Sequence, residues 1–149
     1  MENIILKKYT DEYYDFVYEV KKNAYKKYVE ECWGNWDDTV QREHFKKFMN
    51  FYKESSYIIE YAGKDIGFYN DEILEDGTYE VGNICIIPEY QGNGIGSKIL
   101  KDIIEKNGDR DIKLQFFKQN PVGILYERLG FEKSGETEFH YQMIKKKIK

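Results

Sequence analysis

The spacing of apolar positions changes along this chain, and each change marks a new element. Ile4 to Lys8 reads as a short first strand, and Thr10 or Asp11 stands where a helix cap is expected. Tyr13, Phe16, Val17, Val20, Ala24 and Tyr28 then recur at helical spacing, which predicts a helix of about five turns ending before Gly34-Asn35. Asp38-x-x-Gln41 reads as a capping-box variant, and the second helix it opens has Val40, Phe45, Phe48 and Met49 as its buried stripe.

From Tyr57 the character changes to strands and turns. Tyr57 to Tyr61, a turn at Gly63-Lys64-Asp65 and Ile66 to Asn70 predict a hairpin, and Asp76-Gly77 supplies a second turn before a long strand from Tyr79 to Ile87. Beyond Pro88, the positions Ile95, Ile99, Leu100, Ile103 and Ile104 form one apolar helix face, stopped by Asn107-Gly108. Ile112 to Phe117 reads as a strand. Asn120-Pro121 followed by Val122, Leu125, Tyr126, Leu129 and Gly130 predicts a helix with a cap, a proline in its first turn and a terminal glycine. Strands at Phe131 to Ser134 and Phe139 to Ile144 complete the pattern, and Lys145 to Lys149 reads as a solvated tail. The order β-α-α-β-β-β-α-β-α-β-β predicts an α+β (mixed α/β) fold, a mainly antiparallel sheet covered by helices. Without repeats or a linker, residues 1–149 are expected to form one domain.

Bulk properties narrow the function. The formal net charge of -4 comes from interspersed acids and bases, leaving no basic face for nucleic acid. No run approaches the roughly 18 apolar residues of a spanning helix, and the charged first fifteen positions carry no leader pattern, so no membrane partner is expected. Cys32 and Cys85 form neither a metal motif nor a disulfide framework, which points to a cytoplasmic location. Fourteen tyrosines supply amphipathic rings suited to the wall of a small-ligand pocket.

The densest chemical signal is Ile84 to Gly96, where an apolar strand enters a loop holding Gly92, Gly94 and Gly96 and then a helix. Glycines there let backbone N–H groups approach a ligand at the positive end of a helix dipole, an arrangement suited to a phosphate, and Ser97 can add a hydroxyl. An ordinary strand-to-helix turn would read the same way if it stood alone. A Walker loop would need Gly-Lys-Ser/Thr, but here Gly96 is followed by Ser97-Lys98. A Rossmann fingerprint fails because hairpins, not βαβ units, precede the loop.

The segment Ile84 to Leu100 resembles motif A of the GNAT superfamily of N-acetyltransferases, with Gln91-Gly92-Asn93-Gly94-Ile95-Gly96 matching Gln/Arg-x-x-Gly-x-Gly/Ala. Asn120 to Phe131, with its Asn, its Tyr126 and its closing Gly130-Phe131, resembles motif B. The resemblance implies a six- to seven-stranded sheet splayed at the motif-A strand and flanked by four helices. It also implies acetyl-CoA as co-substrate, with no metal. The backbone of Ile84, Cys85 and Ile86 would pair with pantetheine, the N–H groups of Gln91, Gly92, Asn93, Gly94, Ile95, Gly96 and Ser97 would hold the pyrophosphate, and Asn120 would bond the pantetheine arm.

Thioester aminolysis needs a neutral amine, an oxyanion donor and a proton for the departing thiolate. Tyr126 is the family-like acid, and a core-packing role is its alternative. The N–H of Ile86 is the expected oxyanion donor. Glu80, upstream on the same strand, is either a general base or a strand-end carboxylate in an enzyme that deprotonates through water. Trp33, Trp36, Asp37 and Gln41 fall at the junction that forms an acceptor wall in the superfamily, or else close the core. His44 and His140 read as structural, and Cys85 as a buried hydrophobe. The expected partners are acetyl-CoA and a primary amine of a small molecule or peptide, with the protein a monomer or homodimer. An inactive acyl-CoA-binding module and a binder of another dinucleotide are the competing classes.

Overall fold

The computed structural model describes residues 3–148. Its elements are β1 (Ile4–Lys8), α1 (Tyr14–Trp33), α2 (Asp38–Tyr52), β2 (Ser56–Tyr61), β3 (Lys64–Ile73), β4 (Tyr79–Ile86), α3 (Ile95–Lys106), β5 (Ile112–Phe117), α4 (Gly123–Arg128), β6 (Glu132–Glu136) and β7 (His140–Lys145). The strands form one seven-stranded mixed sheet in the order β1-β2-β3-β4-β5-β7-β6, so the α+β expectation and the element order hold. β4 and β5 pair in parallel at Tyr79–Ile112 and Glu80–Lys113, whereas β1–β2, β2–β3, β5–β7 and β6–β7 are antiparallel. Among the described residues, no helix is long and apolar enough to cross a membrane. By compactness the chain divides into two units, one of residues up to Asn70 with Asn83–Ile95, the other of Asp71–Gly82 with residues from Gly96 onward.

In the first unit, Val17, Tyr18 and Val20 of α1 and Phe45 and Met49 of α2 cluster with Ile58, Phe68 and Cys85 of the sheet. Each such side chain removed from water contributes roughly 1.5–3 kcal/mol before ordering costs. Val40 departs from the predicted stripe: it is 44% exposed, because the helical repeat carries it to the flank opposite Met49. The cap also differs by one residue. Asp37, not Asp38, caps α2 by accepting the Val40 N–H at 3.1 Å. Thr10 makes no cap bond, since a 3₁₀ turn at Asp11–Tyr13 intervenes before α1.

A polar chain crosses this apolar layer. The Tyr25 hydroxyl donates to Asn83 Oδ1 at 2.7 Å, and Asn83 Nδ2 donates to the Asn70 carboxamide at 2.6 Å, tying α1 to β4 and β4 to β3. Asn70 is buried, so its partner relieves a desolvation cost. Gly67 on β3 lies beside β4, where a Cβ would collide with the Cys85 carbonyl oxygen. On the outer strand, Lys7 pairs with Asp65 at 2.8 Å and Glu60 at 3.2 Å.

In the second unit, the Asp76-Gly77 turn forms as expected, with Gly77 at φ 88° and Asp76 accepting the Thr78 N–H at 2.9 Å. β3 runs past the predicted Asn70 to Ile73, because Leu74 and Thr78 close the hairpin through a backbone bond of 2.8 Å. β5 matches its predicted span and aligns with β7 from Ile112–Lys145 to Phe117–His140. β6 begins at Glu132 and shifts register between Lys133 and Gly135 where it pairs with β7. Ile99, Leu100, Ile103, Ile112, Leu114, Phe131 and Met143 are buried. Of the predicted tail, Lys145 belongs to β7, the following residues are irregular, and Lys149 lies outside the described residues.

The close approach at Gly67 makes it the least replaceable residue of the sheet. A Gly67→Ala variant is expected to lose about 3 kcal/mol, near the upper end for overpacking, because a backbone oxygen cannot rotate away. Urea unfolding measures this, and an unchanged midpoint would contradict it.

Candidate functional site

The glycine-rich loop takes its shape from what precedes it. After β4, Pro88–Tyr90 forms a 3₁₀ turn in which Tyr90 N–H bonds Ile87 O at 3.0 Å and Gln91 N–H bonds Pro88 O at 3.2 Å. The Gln91 side chain folds back, its Nε2 donating to Ile86 O at 2.7 Å. Gln91 thus departs from its expected part as an amide donor. Its N–H is used within the turn, and its side chain braces the end of β4. Tyr90 anchors the base, with its ring 5.9 Å from Tyr61 and Lys64 Nζ 5.3 Å from its centroid.

Beyond Gln91 the chain takes left-handed steps at Gly92 (φ 79°) and Gly94 (φ 77°), and α3 begins at Ile95. Among the described residues, no backbone hydrogen bond of good geometry holds the N–H groups of Gly92, Asn93 or Gly94. All three residues are exposed. Successive amides of this kind, just before a twelve-residue helix, make a positive concavity suited to an anion. Gly96 and Ser97 lie in the first turn of α3, both half-buried. In β4, Cys85 turns its thiol into the α1 and α2 core, while Ile84 and Ile86 are half-buried at alternate positions. Burial pushes the Cys85 thiol pKa up, which fits a packing residue.

In the second unit, Asn120 Oδ1 accepts the Val122 N–H at 3.1 Å, closing a turn over Pro121. The predicted motif-B helix is therefore shorter, starting at Gly123 instead of Pro121. Its Tyr126 is half-buried and sits edge-on to Phe116 at 5.5 Å, with Phe131 at 6.0 Å. Gly123 permits this seating, since a Cβ there would lie 2.9 Å from the Phe116 ring. Gly130, at φ 100°, ends the segment as expected. Glu80 is half-buried and pairs in register with Lys113.

The residues assigned to an acceptor wall are brought together only in part. Trp33 is 59% exposed. Trp36 is half-buried, its Nε1 donating to the Tyr18 hydroxyl and to Asp38 Oδ1, both at 3.1 Å. Asp37 serves as the α2 cap, and Gln41 is half-buried in the first turns of α2. Tyr18, unnoticed in the sequence, and Asp38, read there only as a helix cap, form the hub of this junction. The Tyr18 hydroxyl donates to Asp38 at 2.6 Å and Lys22 bridges to the same carboxylate at 2.9 Å. Tyr18 follows Val17 directly, and a broader apolar face would have included both. His44 is exposed, and His140 lies tilted against the Phe117 ring at 4.4 Å with its pKa lowered by burial.

The Tyr18 hydrogen bond, followed by that of Lys22, holds the Asp38 carboxyl down at about 2 against an ordinary 3.8. A depressed acid contributes stability above its unfolded value that is lost as pH falls through its folded one. Tyr18→Phe is therefore expected to flatten the acid limb of stability between pH 3.8 and about 2, as read by thermal melting across that range. An acid limb identical to that of the unmodified protein would contradict the assignment. Gly92→Ala meets no atom within 4 Å but forces a left-handed alanine, so a loss of about 1 kcal/mol is expected from backbone strain alone. Calorimetric melting reports it, and no loss would mean the loop relaxes without strain.

Comparison with known proteins bears on the same segment. The acetyltransferase (GNAT) domain family model matches residues 52–133, more than half of the chain. An uncharacterised N-acetyltransferase of Methanocaldococcus jannaschii is 27% identical over 129 residues, covering 80% of this chain and 54% of that protein, so the alignment spans about half of the relative's length. The spermine/spermidine N(1)-acetyltransferase of Bacillus subtilis is 29% identical over 106 residues, 68% of this chain and 69% of that protein. The crystal structure of PaiA N-acetyltransferase from Thermoplasma acidophilum, in complex with coenzyme A, superposes with a TM-score of 0.73 at 23% identity, covering 96% of this chain and 98% of that one. That likeness shows the fold. With the family model spanning both glycine-bearing motifs, the chain belongs to the GNAT family of acetyltransferases.

Proposed function

We propose that residues 1–149 act as one domain that transfers an acetyl group from acetyl-CoA directly to a primary amine. The observation that carries this reading is the exposed Gly92–Gly94 backbone, with two left-handed glycines and N–H groups that, among the described residues, no good backbone bond holds, leading into α3. These residues fit a diphosphate in charge and in access. The N–H groups from Gly92 to Ser97 hold it, the backbone of Ile84, Cys85 and Ile86 pairs with the pantetheine amides, and Asn120 steadies the arm.

When bound, acetyl-CoA supplies an activated acyl group. The chain's own residues then have three tasks. The Ile86 N–H donates to the oxygen as it gains charge. Tyr126 gives its phenolic proton to the sulfur as the C–S bond breaks. Glu80, directly or through water, accepts the proton that the amine releases. Phe116, Phe131 and Gly123 set the Tyr126 ring, so its hydroxyl starts from one orientation.

Trp33, Trp36, Asp37 and Gln41 contribute to the acceptor wall. The Bacillus relative is named for spermine and spermidine, which places polyamines first in an acceptor panel, ahead of amino sugars, peptide N-termini and lysine side chains.

Calorimetry with CoA is expected to show binding, and thiol release across the panel is expected to show turnover with at least one amine. Tyr126→Phe should lower kcat by about two orders of magnitude, the contribution typical of a positioned acid, with little change in CoA affinity. Absence of CoA binding would refute the reading. Binding without turnover would favour an inactive acyl-CoA-binding module, and full kcat in Tyr126→Phe would remove that residue's role.

A further inference from the structure

The ladder joining β4 to β5 ends, among the described residues, at Glu80–Lys113, while β4 itself runs on to Ile86. Strands paired along one edge alone twist more freely than strands paired along both. Pairing therefore sets the angle of the last part of β4 only loosely, and that part carries the Ile84–Ile86 backbone assigned to pantetheine and to the oxyanion.

Side chains on one face of this segment supply the missing restraint. The Tyr25 hydroxyl of α1 donates to Asn83 Oδ1 at 2.7 Å, and Asn83 Nδ2 donates to Asn70 Oδ1 on β3 at 2.6 Å. The Tyr25 hydroxyl also engages the Cys85 thiol. Asn83 and Cys85 stand two residues apart and so share a face of β4, which lets one phenol grip the strand on both sides of Ile84. Tyr25, Asn70 and Asn83 lie in one compact unit with Ile84–Ile86. Leucine at position 83 would fill a similar volume with no polar group to satisfy. A carboxamide there costs desolvation that its two bonds offset, so what the bonds add is direction: they hold the strand at one angle to α1 and β3.

We propose that Asn83 is a positioning residue for acetyl transfer, which sets, through Tyr25 and Asn70, the angle at which the Ile84–Ile86 backbone meets the acyl chain. This inference rests on the acetyl-CoA reading above. The Ile86 N–H lies about 10 Å along the strand from Asn83, so the carboxamide acts through the backbone and not on the thioester. A strand fixed in pitch keeps that N–H within hydrogen-bond reach of the oxygen as charge develops, and a displacement of about 1 Å costs up to about 100-fold in rate. The Gly92–Ser97 amides that hold the diphosphate lie beyond the restrained segment, so the effect falls on turnover more than on CoA binding.

The test compares the unmodified protein with Tyr25→Phe, which keeps the ring and severs one bond, and with Asn83→Leu, which severs both. Amide hydrogen exchange is read on the free proteins, CoA affinity by calorimetry, and kcat with the most active amine of the panel, all well below the melting temperature. Exchange is expected to quicken in the β4 peptide and not in β1 or β2, with CoA affinity nearly unchanged. The kcat is expected to fall about tenfold in Asn83→Leu and by less in Tyr25→Phe. An Asn83 that only supports the fold would lower the melting temperature and leave the kcat of folded protein intact, which would overturn the proposal. So would unaltered exchange in β4, or a loss of CoA affinity as large as the loss in kcat. If Asn83→Leu does not fold, Tyr25→Phe decides by the same three measures. Unmodified protein that binds no CoA, or turns over no amine, would overturn the acetyltransferase reading too, so the two failures are told apart.

Discussion

The constraint on which the candidate site depends is the chain's exit from β4. Between Ile86 and Ile95 the backbone must leave a strand and start a helix, and it does so through one 3₁₀ turn and two left-handed glycines. Strand residues satisfy their amides across the sheet, and helix residues satisfy theirs along the axis. Gly92 to Gly94 belong to neither. A buried amide in that position would be costly, but these are exposed, so water or an anion can meet them. The Gln91 side chain keeps the arrangement from collapsing by holding the Ile86 carbonyl, which anchors the loop to the strand it leaves.

Much of this was legible in the sequence because the signals were local. The span of β5, the start of α3 at Ile95 and the turn at Asp76-Gly77 each follow from a residue pattern that needs no distant partner. The glycine loop and the motif-B segment were legible as motifs for the same reason. What sequence reasoning misplaced depends on contacts between distant elements. Val40 is apolar and helical, yet faces solvent because Phe45 and Met49 decide which side of α2 is buried. The Tyr18–Trp36–Asp38 hub joins residues whose spacing carries no motif. The end of α4 was legible from Gly130, but its start was not, since Asn120 caps a turn in front of the helix.

The Tyr25–Asn83–Asn70 chain has a similar origin. No spacing rule links those residues, yet they form a continuous set of short hydrogen bonds within an otherwise apolar layer. Such a network adds less to net stability than to uniqueness, because sliding β3 against β4 by one residue would leave a carboxamide buried without a partner. Gly67 acts in the same sense through shape, admitting only the alignment that lets the Cys85 carbonyl approach.

The register shift in β6 has a bearing on how these molecules behave in a crowded solution. β6 stands at one border of the sheet, its pairing with β7 shifts register between Lys133 and Gly135, and it carries Glu132, Lys133 and Glu136. An incoming strand from a second molecule would meet a twisted, charged margin instead of a flat apolar template. That border is thereby protected against the edge-to-edge stacking that drives β-rich proteins into aggregates.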